Sequence, residues 1–423
     1  MTRPYIASVK IEGFRAISNP IELELAPLTI LFGPNGSGKT SIIDAIVTSF
    51  IVALINDAII DDLSRRINSV CSKARIELKI VDTSRDIVVE TEIEPRQRVS
   101  QRISFLEELK NKVITELKKH GNTFSTRILE KLFGEPIVFK LKANAFRDPN
   151  VYRLEIEAPG DEVCKRVVDM YKDEYAPYIE MLSRLLPIVW VPAWRDEPVK
   201  SIPLRIESKG TMLPPVRVLT TRSLVKECAL LRLALGSKEF EDSVSKIARE
   251  MGIEPASAPR PRIEPKAQEL SVTMVAEAKD IEYPEELAAD GERSLHVLLY
   301  ALELGRRYGA TIFIEEPELH LHPKLHWAIA NLVIRTVKSG SQIVVSTHSD
   351  HFIAAVVRAI SEGLIDRNEV VAYYVTRRSG RTEVYRVDLD PMQIARYSHI
   401  LSEFVEEDIA AYSRIVEQVL GYG

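Results

Sequence analysis

An octapeptide near the amino terminus has residue types and spacing suited to binding phosphate. It fits the pattern G-x-x-x-x-G-K-[ST], in which backbone N–H groups and the positive end of the following helix converge on one anion. The lysine would place a positive charge at the β- and γ-phosphates of a nucleotide, and the threonine hydroxyl would hold Mg²⁺. A structural glycine turn before a helix is the alternative. The motif, known as Walker A, consists of Gly33, Pro34, Asn35, Gly36, Ser37, Gly38, Lys39 and Thr40.

A second pair of reactive side chains stands almost three hundred residues later. The run Thr311-Ile312-Phe313-Ile314 is typical of a buried strand, and Glu315 and Glu316 follow it directly. This is the pattern of a Walker B motif. Glu315 would hold Mg²⁺, directly or through water, and Glu316 would orient and polarise the attacking water. Two merely solvated acids at a strand end are the alternative interpretation.

Two weaker signals flank the acidic pair. Before it, Asp290 can cap a helix whose Gly291 leaves the amino-terminal end open to an anion. After it, a buried strand from Gln342 ends at His348, which could contact a γ-phosphate and sense its loss. An ordinary capped helix and a core or capping histidine explain these two features without any function.

Metal ligation by histidine or cysteine is a further alternative. The segment after the acidic pair holds three closely spaced histidines, but no matching ligand set stands elsewhere, so zinc is the less favoured interpretation. The three cysteines are far apart, which argues against a disulfide framework and fits a reducing compartment. These residues are His320, His322 and His326, and Cys71, Cys164 and Cys228.

The elements that must position these residues can be read in outline. Strands are predicted from Tyr5 to Arg15 and over Ile21–Leu25, in one mixed sheet with the strand Leu28–Phe32 that leads into Walker A. Further predictions, in chain order, are an antiparallel strand pair (75–81 and 86–93), a helical arm (97–132), strands (137–142 and 151–157), a helix (161–186), a strand (187–192), a helical block (223–251), a proline-rich linker (255–265) and extended chain (270–275).

Composition limits the class of protein. A chain of 423 residues with 45% hydrophobic and 28% charged residues is long enough for two or three domains, and its net charge of −5 argues against a uniformly nucleic-acid-coating protein. The start of the chain lacks the apolar core of a signal peptide. The most apolar stretch, Ala45–Ile55, is too short to span a bilayer. We therefore expect a cytoplasmic protein without membrane contact.

Taken together, the motifs resemble those of ABC-type ATPases, in the branch that contains the SMC, RecF and OLD families. Phe14-Arg15, the Walker A loop, the stretch from Glu315 to Pro323 and the sequence Ser346-Thr347-His348-Ser349 are most similar to OLD-like predicted ATPases. The resemblance covers about 4–54 and 287–352, and the middle of the chain matches only in outline. It implies an α/β fold, a P-loop NTPase of the ABC-ATPase head type, with an inserted α+β arm.

The resemblance also implies ATP and Mg²⁺ as ligands, and a homodimer in which Gly291 approaches the γ-phosphate held by the partner subunit. Three departures stand out. Ala289 occupies the place of the signature serine, no glutamine is convincingly placed for the Q-loop (Trp194-Arg195 stands about where it is sought), and the residues after His348 are too few for the Toprim nuclease domain of OLD nucleases.

The resulting prediction is an ATP-hydrolysing, dimerising ATPase that acts on DNA or on a DNA-processing or defence partner, with a separately encoded nuclease or effector. The alternatives are an ATP-gated switch with little turnover and a transport-coupled ATPase. Predicted boundaries are an ATPase lobe with Walker A (1–95), the arm (96–268) and a second ATPase lobe (269–423). Basic residues of the arm and of a carboxyl-terminal strand pair could face DNA, although a solvated surface is the favoured explanation of both groups: Arg96, Arg98, Arg102, Lys110, Lys112, Lys118 and Lys119, then Arg377, Arg378, Arg381 and Arg386.

Overall fold

A computed structural model of the chain describes most of its two ends and parts of its middle. The described residues are 3–54, 67–94, 98–105, 107–108, 111–112, 115, 171–185, 188–195, 202–204, 218–219, 239–251, 257–266, 269–278, 281–284, 287 and 289–389. The strand predictions at 137–142 and 151–157 lie outside these residues.

The centre of the fold is a seven-stranded sheet in which six neighbouring strands run parallel and an antiparallel edge strand completes the layer. The Walker A strand lies beside the strand that ends at His348, and the Walker B strand is the next one along. In spatial order the strands are β16 (Arg381–Val387), β15 (Val370–Arg378), β3 (Leu28–Phe32), β14 (Gln342–Thr347), β13 (Thr311–Glu315), β7 (Ile188–Val191) and β9 (Val218–Leu219).

The central strands are buried along their whole length because both faces of the sheet are covered. Alternate side chains enter two different hydrophobic cores, so Ile312 and Ile314 pack on one side while Phe313 packs on the other. Val344 likewise points away from its neighbours Ile343 and Val345. A strand buried on both faces is expected to carry a continuous hydrophobic run, and these strands do so between their polar ends.

Helices cover both faces. Helix α1, directly after the Walker A loop, packs in the core that also holds the antiparallel sheet described below, and α3, α4, α5 and α6 contribute to the opposite core. The helices are α1 (Lys39–Leu54), α2 (Lys172–Leu185), α3 (Glu239–Glu250), α4 (Asp290–Tyr308), α5 (Pro323–Lys338) and α6 (Asp350–Ser361).

A second, antiparallel sheet corrects one prediction. The first two strands, expected to share a sheet with the Walker A strand, instead belong to a five-stranded sheet with the strand pair that follows α1. Their alternating pattern is the sign of this arrangement, because one face packs into the core while the other stays polar. In order these strands are β2 (Ile21–Glu24), β1 (Tyr5–Glu12), β4 (Ala74–Val81), β5 (Asp86–Glu94) and β6 (Arg98–Ile103).

A four-stranded sheet corrects a second prediction. The proline-rich stretch expected to be a linker forms strand β10 (Ser257–Lys266), which pairs with β11 (Glu269–Ala278). Proline is tolerated in an edge strand, whose outward N–H groups have no partner to lose, and β10 is an edge strand. The remaining strands are β8 (Ile202–Leu204) and β12 (Ile281–Pro284).

The predicted arm is more mixed than expected. Its beginning, 98–103, is strand β6 rather than helix, and most of the rest of 97–132 lies outside the described residues. Strands β7 and β9 fall within the predicted arm range but belong to the central sheet, so the arm boundaries stay a prediction. Of the helices in the described part of the chain, none is long and apolar enough to cross a membrane.

Candidate functional site

The Walker A loop joins β3 to α1 at the carboxyl edge of the central sheet. Lys39 folds across its own loop, and its Nζ donates to the carbonyls of Gly33 at 2.8 Å and Pro34 at 2.9 Å. Burial lowers the pKa of Lys39 to about 8, and the charges of Glu316 and Glu318 partly offset this. The lysine is therefore a desolvated cation held at the position where the motif binds phosphate.

Residues from three distant segments meet at this lysine. Glu316 lies close enough for its charge to raise the pKa of Lys39, and its Oε1 is 3.7 Å from Nε2 of His348. Burial, and then the charge of Lys39, lowers the pKa of His348 against the opposing charge of Glu316, which favours the neutral imidazole. The predicted nucleotide-binding lysine, water-activating acid and sensing histidine are thus brought together.

Glu315, the predicted metal ligand, is almost fully buried at the end of β13. Its Oε1 accepts a hydrogen bond of 3.0 Å from the indole Nε1 of Trp190. Burial raises the pKa of Glu315 to about 7, and the charge of Asp44 raises it further, while the Trp190 bond opposes the shift. Asp44 is itself paired with Arg15 at 2.6 Å.

These residues fit a magnesium ion. Mg²⁺ prefers oxygen ligands and is usually bound by one or two protein groups together with substrate phosphates and water. Thr40 and Glu315 offer a hydroxyl and a carboxylate, and the buried carboxylate would be stabilised in its charged form by a cation. Among the described residues, no three histidine, cysteine or acidic side chains are grouped as a metal site.

The turn after β13 has an unusual backbone that neighbouring groups hold in place. Glu316 has a φ of 46°, a region that non-glycine residues rarely occupy. Its N–H donates to the carbonyl of Ser346 at 2.7 Å. The guanidinium of Arg195, which is 1% exposed, donates to the carbonyls of Glu315 and Glu316, both at 2.7 Å.

A third acid, Glu318, joins the Walker B turn to the end of β14. Its two carboxylate oxygens accept from the Thr347 hydroxyl at 2.9 Å and from the backbone N–H of His348 at 2.6 Å. Burial raises the pKa of Glu318. The position of His348 therefore depends on an acid that the sequence reasoning did not single out.

The helix that carries Gly291 begins beside this turn. A Cβ on Gly291 would lie 2.6 Å from the carbonyl of His320, so only glycine allows this close approach. Ser294 adds a hydrogen bond of 3.2 Å to the carbonyl of Leu319. The prediction that Asp290 caps the helix is wrong: Ala289 is the N-cap, without a side-chain bond, and Asp290 lies in the first turn.

The carboxyl-terminal strand pair is confirmed as β15 and β16, and its Thr382 side chain contacts the Walker A loop. The Thr382 hydroxyl lies 3.0 Å from the carbonyl of Ser37 and 3.1 Å from that of Ala16. Gly38 has a φ of 115°, and a Cβ there would lie 2.8 Å from Thr382 Oγ1. The hairpin therefore fixes the shape of the loop.

The zinc alternative gains no geometric support. Both ring nitrogens of His326 already have neighbours, Ser349 Oγ at 2.9 Å and the carbonyl of Leu321 at 3.2 Å. Nδ1 of His322 accepts from the N–H of Lys324 and caps α5, whose first turn contains Pro323. The hydrogen bonds of His322 and His326 therefore stabilise the loop that follows Walker B and the start of helix α5.

Two family models match the chain. One, described as an AAA domain, matches residues 8–144, and the other, described as an AAA domain, putative AbiEii toxin, Type IV TA system, matches residues 196–354. The first includes Walker A and the second includes Walker B and His348. A comparison with curated proteins finds no match.

Solved structures of SMC head domains are similar in outline. An SMC head bound to the C-terminal domain of ScpA, from Pyrococcus furiosus, has a TM-score of 0.48 and 14% identity, covering 95% of this chain and 99% of that one. The SMC head from Thermotoga maritima has a TM-score of 0.40 and 14% identity, covering 90% and 98%. Another SMC head, bound to the C-terminal winged-helix domain of ScpA, has a TM-score of 0.49 and 16% identity, covering 92% and 99%.

The class of protein follows from the sheet order and the two family models rather than from these loose superpositions. Walker A, Walker B and the histidine at the end of β14 follow adjacent parallel strands of one sheet, flanked by an antiparallel sheet and helices. The chain has the fold of a P-loop NTPase of the ABC-ATPase head type and carries AAA-type ATPase domains.

Proposed function

We propose that this protein hydrolyses ATP in the presence of Mg²⁺. The observation that supports this most directly is the meeting of Lys39, which belongs to the Walker A loop, with Glu316 and His348, which follow two other strands much later in the sequence. Lys39 would neutralise charge on the β- and γ-phosphates, and Glu316 would orient and polarise the attacking water. A neutral His348 is able to donate a hydrogen bond to the γ-phosphate.

In this proposal the metal is held by Thr40 and Glu315. Magnesium would neutralise charge that develops on the transferred phosphoryl group. The Walker A loop, from Gly33 through Pro34, Asn35, Gly36, Ser37 and Gly38, would bind the phosphates with backbone N–H groups.

We further propose that ATP binding joins two copies of the chain. Gly291 would then face the γ-phosphate bound to the partner subunit, as in the ABC-type proteins that the sequence resembles. Because Ala289 replaces the signature serine, that contact would depend on the helix end rather than on a hydroxyl. The dimer would act on cytoplasmic DNA, or on a DNA-processing or defence protein such as a separately encoded nuclease or effector, as expected for an OLD-like ATPase. The toxin description of the second family model supports a role in defence.

Phosphate release by wild type, Lys39→Ala and Glu316→Gln tests the proposal, together with the mass of each protein in solution with and without Mg–ATP. We expect turnover in wild type, none in Lys39→Ala, turnover slowed at least about 100-fold in Glu316→Gln, and a lasting ATP-bound dimer only for Glu316→Gln. If wild type binds ATP and dimerises as stably as Glu316→Gln, the protein is a switch rather than an ATPase. Absence of ATP binding would overturn the proposal.

The partner requires a separate measurement. Crosslinking of the purified protein to DNA, with and without ATP, is expected to give an ATP-dependent product, and DNA is expected to stimulate hydrolysis. Stimulation by lipid vesicles and not by DNA would instead favour the transport-coupled alternative.

A further inference from the structure

The segment Trp190–Arg195 contacts the two Walker B acids at several points. The Trp190 indole donates to the Glu315 carboxylate, and a backbone hydrogen bond from Ala193 reaches the same carboxylate. Arg195 then donates to the main-chain carbonyls of both acids. This short segment, which begins within β7, therefore holds the side chain of one acid and the backbone of both.

The backbone of Glu316 is the part of this turn that most needs support. Its positive φ is unfavourable for a residue with a side chain and persists only where surrounding contacts impose it. The carbonyls of Glu315 and Glu316 point toward one planar guanidinium, which can donate to both at once because its N–H groups are held in a fixed fork. The direction of the Glu316 side chain thus depends on Arg195.

A general stabilising role would not require this arrangement. Gln342 shows what such a role looks like in the same sheet: its amide bonds the main chain of Ile6 and Ala26, far from any group that could do chemistry. Arg195 bonds the carbonyl of Pro192 at 3.5 Å, but its two shorter main-chain bonds end on the two residues that the proposed chemistry uses.

We propose that Arg195 is a positioning residue for hydrolysis, which holds Glu316 in the orientation that activates water, at the place where the sequence lacks a recognisable Q-loop glutamine. The inference rests on the proposed function. The two short hydrogen bonds of Arg195 end on the main chain of the acids that act on the water and the metal, so its removal should slow the chemical step more than it weakens ATP binding.

The experiment compares steady-state ATP hydrolysis by wild type, Arg195→Lys, Arg195→Ala and Gln342→Ala, with thermal unfolding of each. Lysine keeps the charge and one hydrogen bond but cannot reach both carbonyls with a fixed fork. A misplaced reacting group costs on the order of 100-fold. We therefore expect kcat to fall about 100-fold in Arg195→Ala and about 10-fold in Arg195→Lys, with KM for ATP changed less than about threefold in both.

Gln342→Ala is the matched control, because it removes a similar set of buried main-chain bonds from the opposite edge of the sheet. It should lower the unfolding temperature at least as much as Arg195→Lys while kcat stays near that of wild type. Should Arg195→Ala fail to fold, Arg195→Lys carries the comparison alone.

Three outcomes separate the ideas. A wild-type protein without turnover contradicts the proposed function. Turnover in wild type and equal kcat in Arg195→Lys contradicts the role of Arg195 and leaves the function intact. If Gln342→Ala loses as much kcat as Arg195→Lys at an equal loss of stability, the role of Arg195 is structural only and the inference is overturned.

Discussion

The central sheet has an amino edge, where its parallel strands begin, and a carboxyl edge, where they end. Buried polar groups differ between these two edges. Two of the buried groups at the amino edge are neutral: Gln342 bonds the main chain of Ile6, and the Ser341 hydroxyl bonds the carbonyl of Gly305 at 3.0 Å and the N–H of Ala310 at 2.9 Å. At the carboxyl edge, the groups at the centre of the candidate site are ionisable. Lys39 and Glu315 lie there, both with pKa values moved toward neutrality by burial.

This difference indicates that the amino edge stabilises the fold and that the carboxyl edge binds the ligand. A neutral hydrogen bond between buried groups satisfies both without an ion to desolvate, whereas a buried charge lowers stability unless a counter-charge accompanies it. A triphosphate with magnesium supplies charges of both signs to the carboxyl edge. The unliganded site thus keeps a destabilised arrangement that its ligand would relieve.

The largest expected effect is at the carboxyl edge, where a substitution should lower activity without lowering stability. Glu316→Gln should lower kcat by roughly 100- to 10,000-fold, the usual contribution of a general base. It should not lower the unfolding temperature of the nucleotide-free protein, because glutamine keeps the shape of the side chain and removes a charge. Phosphate release and thermal unfolding check this, and a large fall in unfolding temperature would mean that the acid is structural.

The opposite result is expected at the amino edge. Gln342→Ala leaves the N–H and carbonyl of Ile6 buried without their side-chain partner, and each such group costs about 1–3 kcal/mol. We expect a loss of about 3 kcal/mol in unfolding free energy, measured by urea titration, with kcat unchanged. Loss of activity at retained stability would show that the two edges are not independent.

The sequence predicted the carboxyl edge well because parallel strands end at one edge of a sheet. Once Walker A and Walker B are assigned to strands, Lys39, Glu316 and His348 must approach each other, and they do. The order of the motifs therefore predicts the centre of the site without any knowledge of the rest of the chain.

The supporting residues could not be found this way. Arg195 follows β7, and the motif order marks its position only as the place where a Q-loop glutamine is sought. Its role depends on the pairing of β7 with β13, which no local pattern reveals. Glu318 has a weak signal, since it is the third acid of the same turn, but its partners lie on β14. The first strands were placed in the wrong sheet because alternation predicts a half-exposed strand and not its neighbours.

A third prediction concerns helix α4, which connects the two edges and contains the buried His296. Burial lowers the pKa of His296 from 6.5 to about 3. Below pH 6.5 the unfolded chain takes up a proton that the folded protein refuses, so stability is lost as the pH falls from 6.5 toward 3. At about 1.4 kcal/mol per pH unit, roughly 2 kcal/mol is lost by pH 5.

Replacement by an apolar residue tests this dependence. The urea midpoint of His296→Leu, measured at pH 7.5 and pH 5, should fall less on acidification than that of wild type. An equal fall in both proteins would assign the acid sensitivity to other groups, such as those at the carboxyl edge.

The smallest expected effect concerns a neutral buried residue, Thr382, at the carboxyl edge. Thr382 is neutral and buried, like the amino-edge groups, yet its hydroxyl bonds the Walker A loop at the carbonyl of Ser37. Thr382→Val keeps the shape of the side chain and loses about 1 kcal/mol of hydrogen bonding. If the bond serves mainly to shape the loop, KM for ATP rises about fivefold while the unfolding temperature changes little. Thr382→Ser, which keeps the hydroxyl, should bind ATP as wild type does, and a weaker affinity in Thr382→Ser than in Thr382→Val would show that the methyl contact with Gly38 matters more than the hydrogen bond.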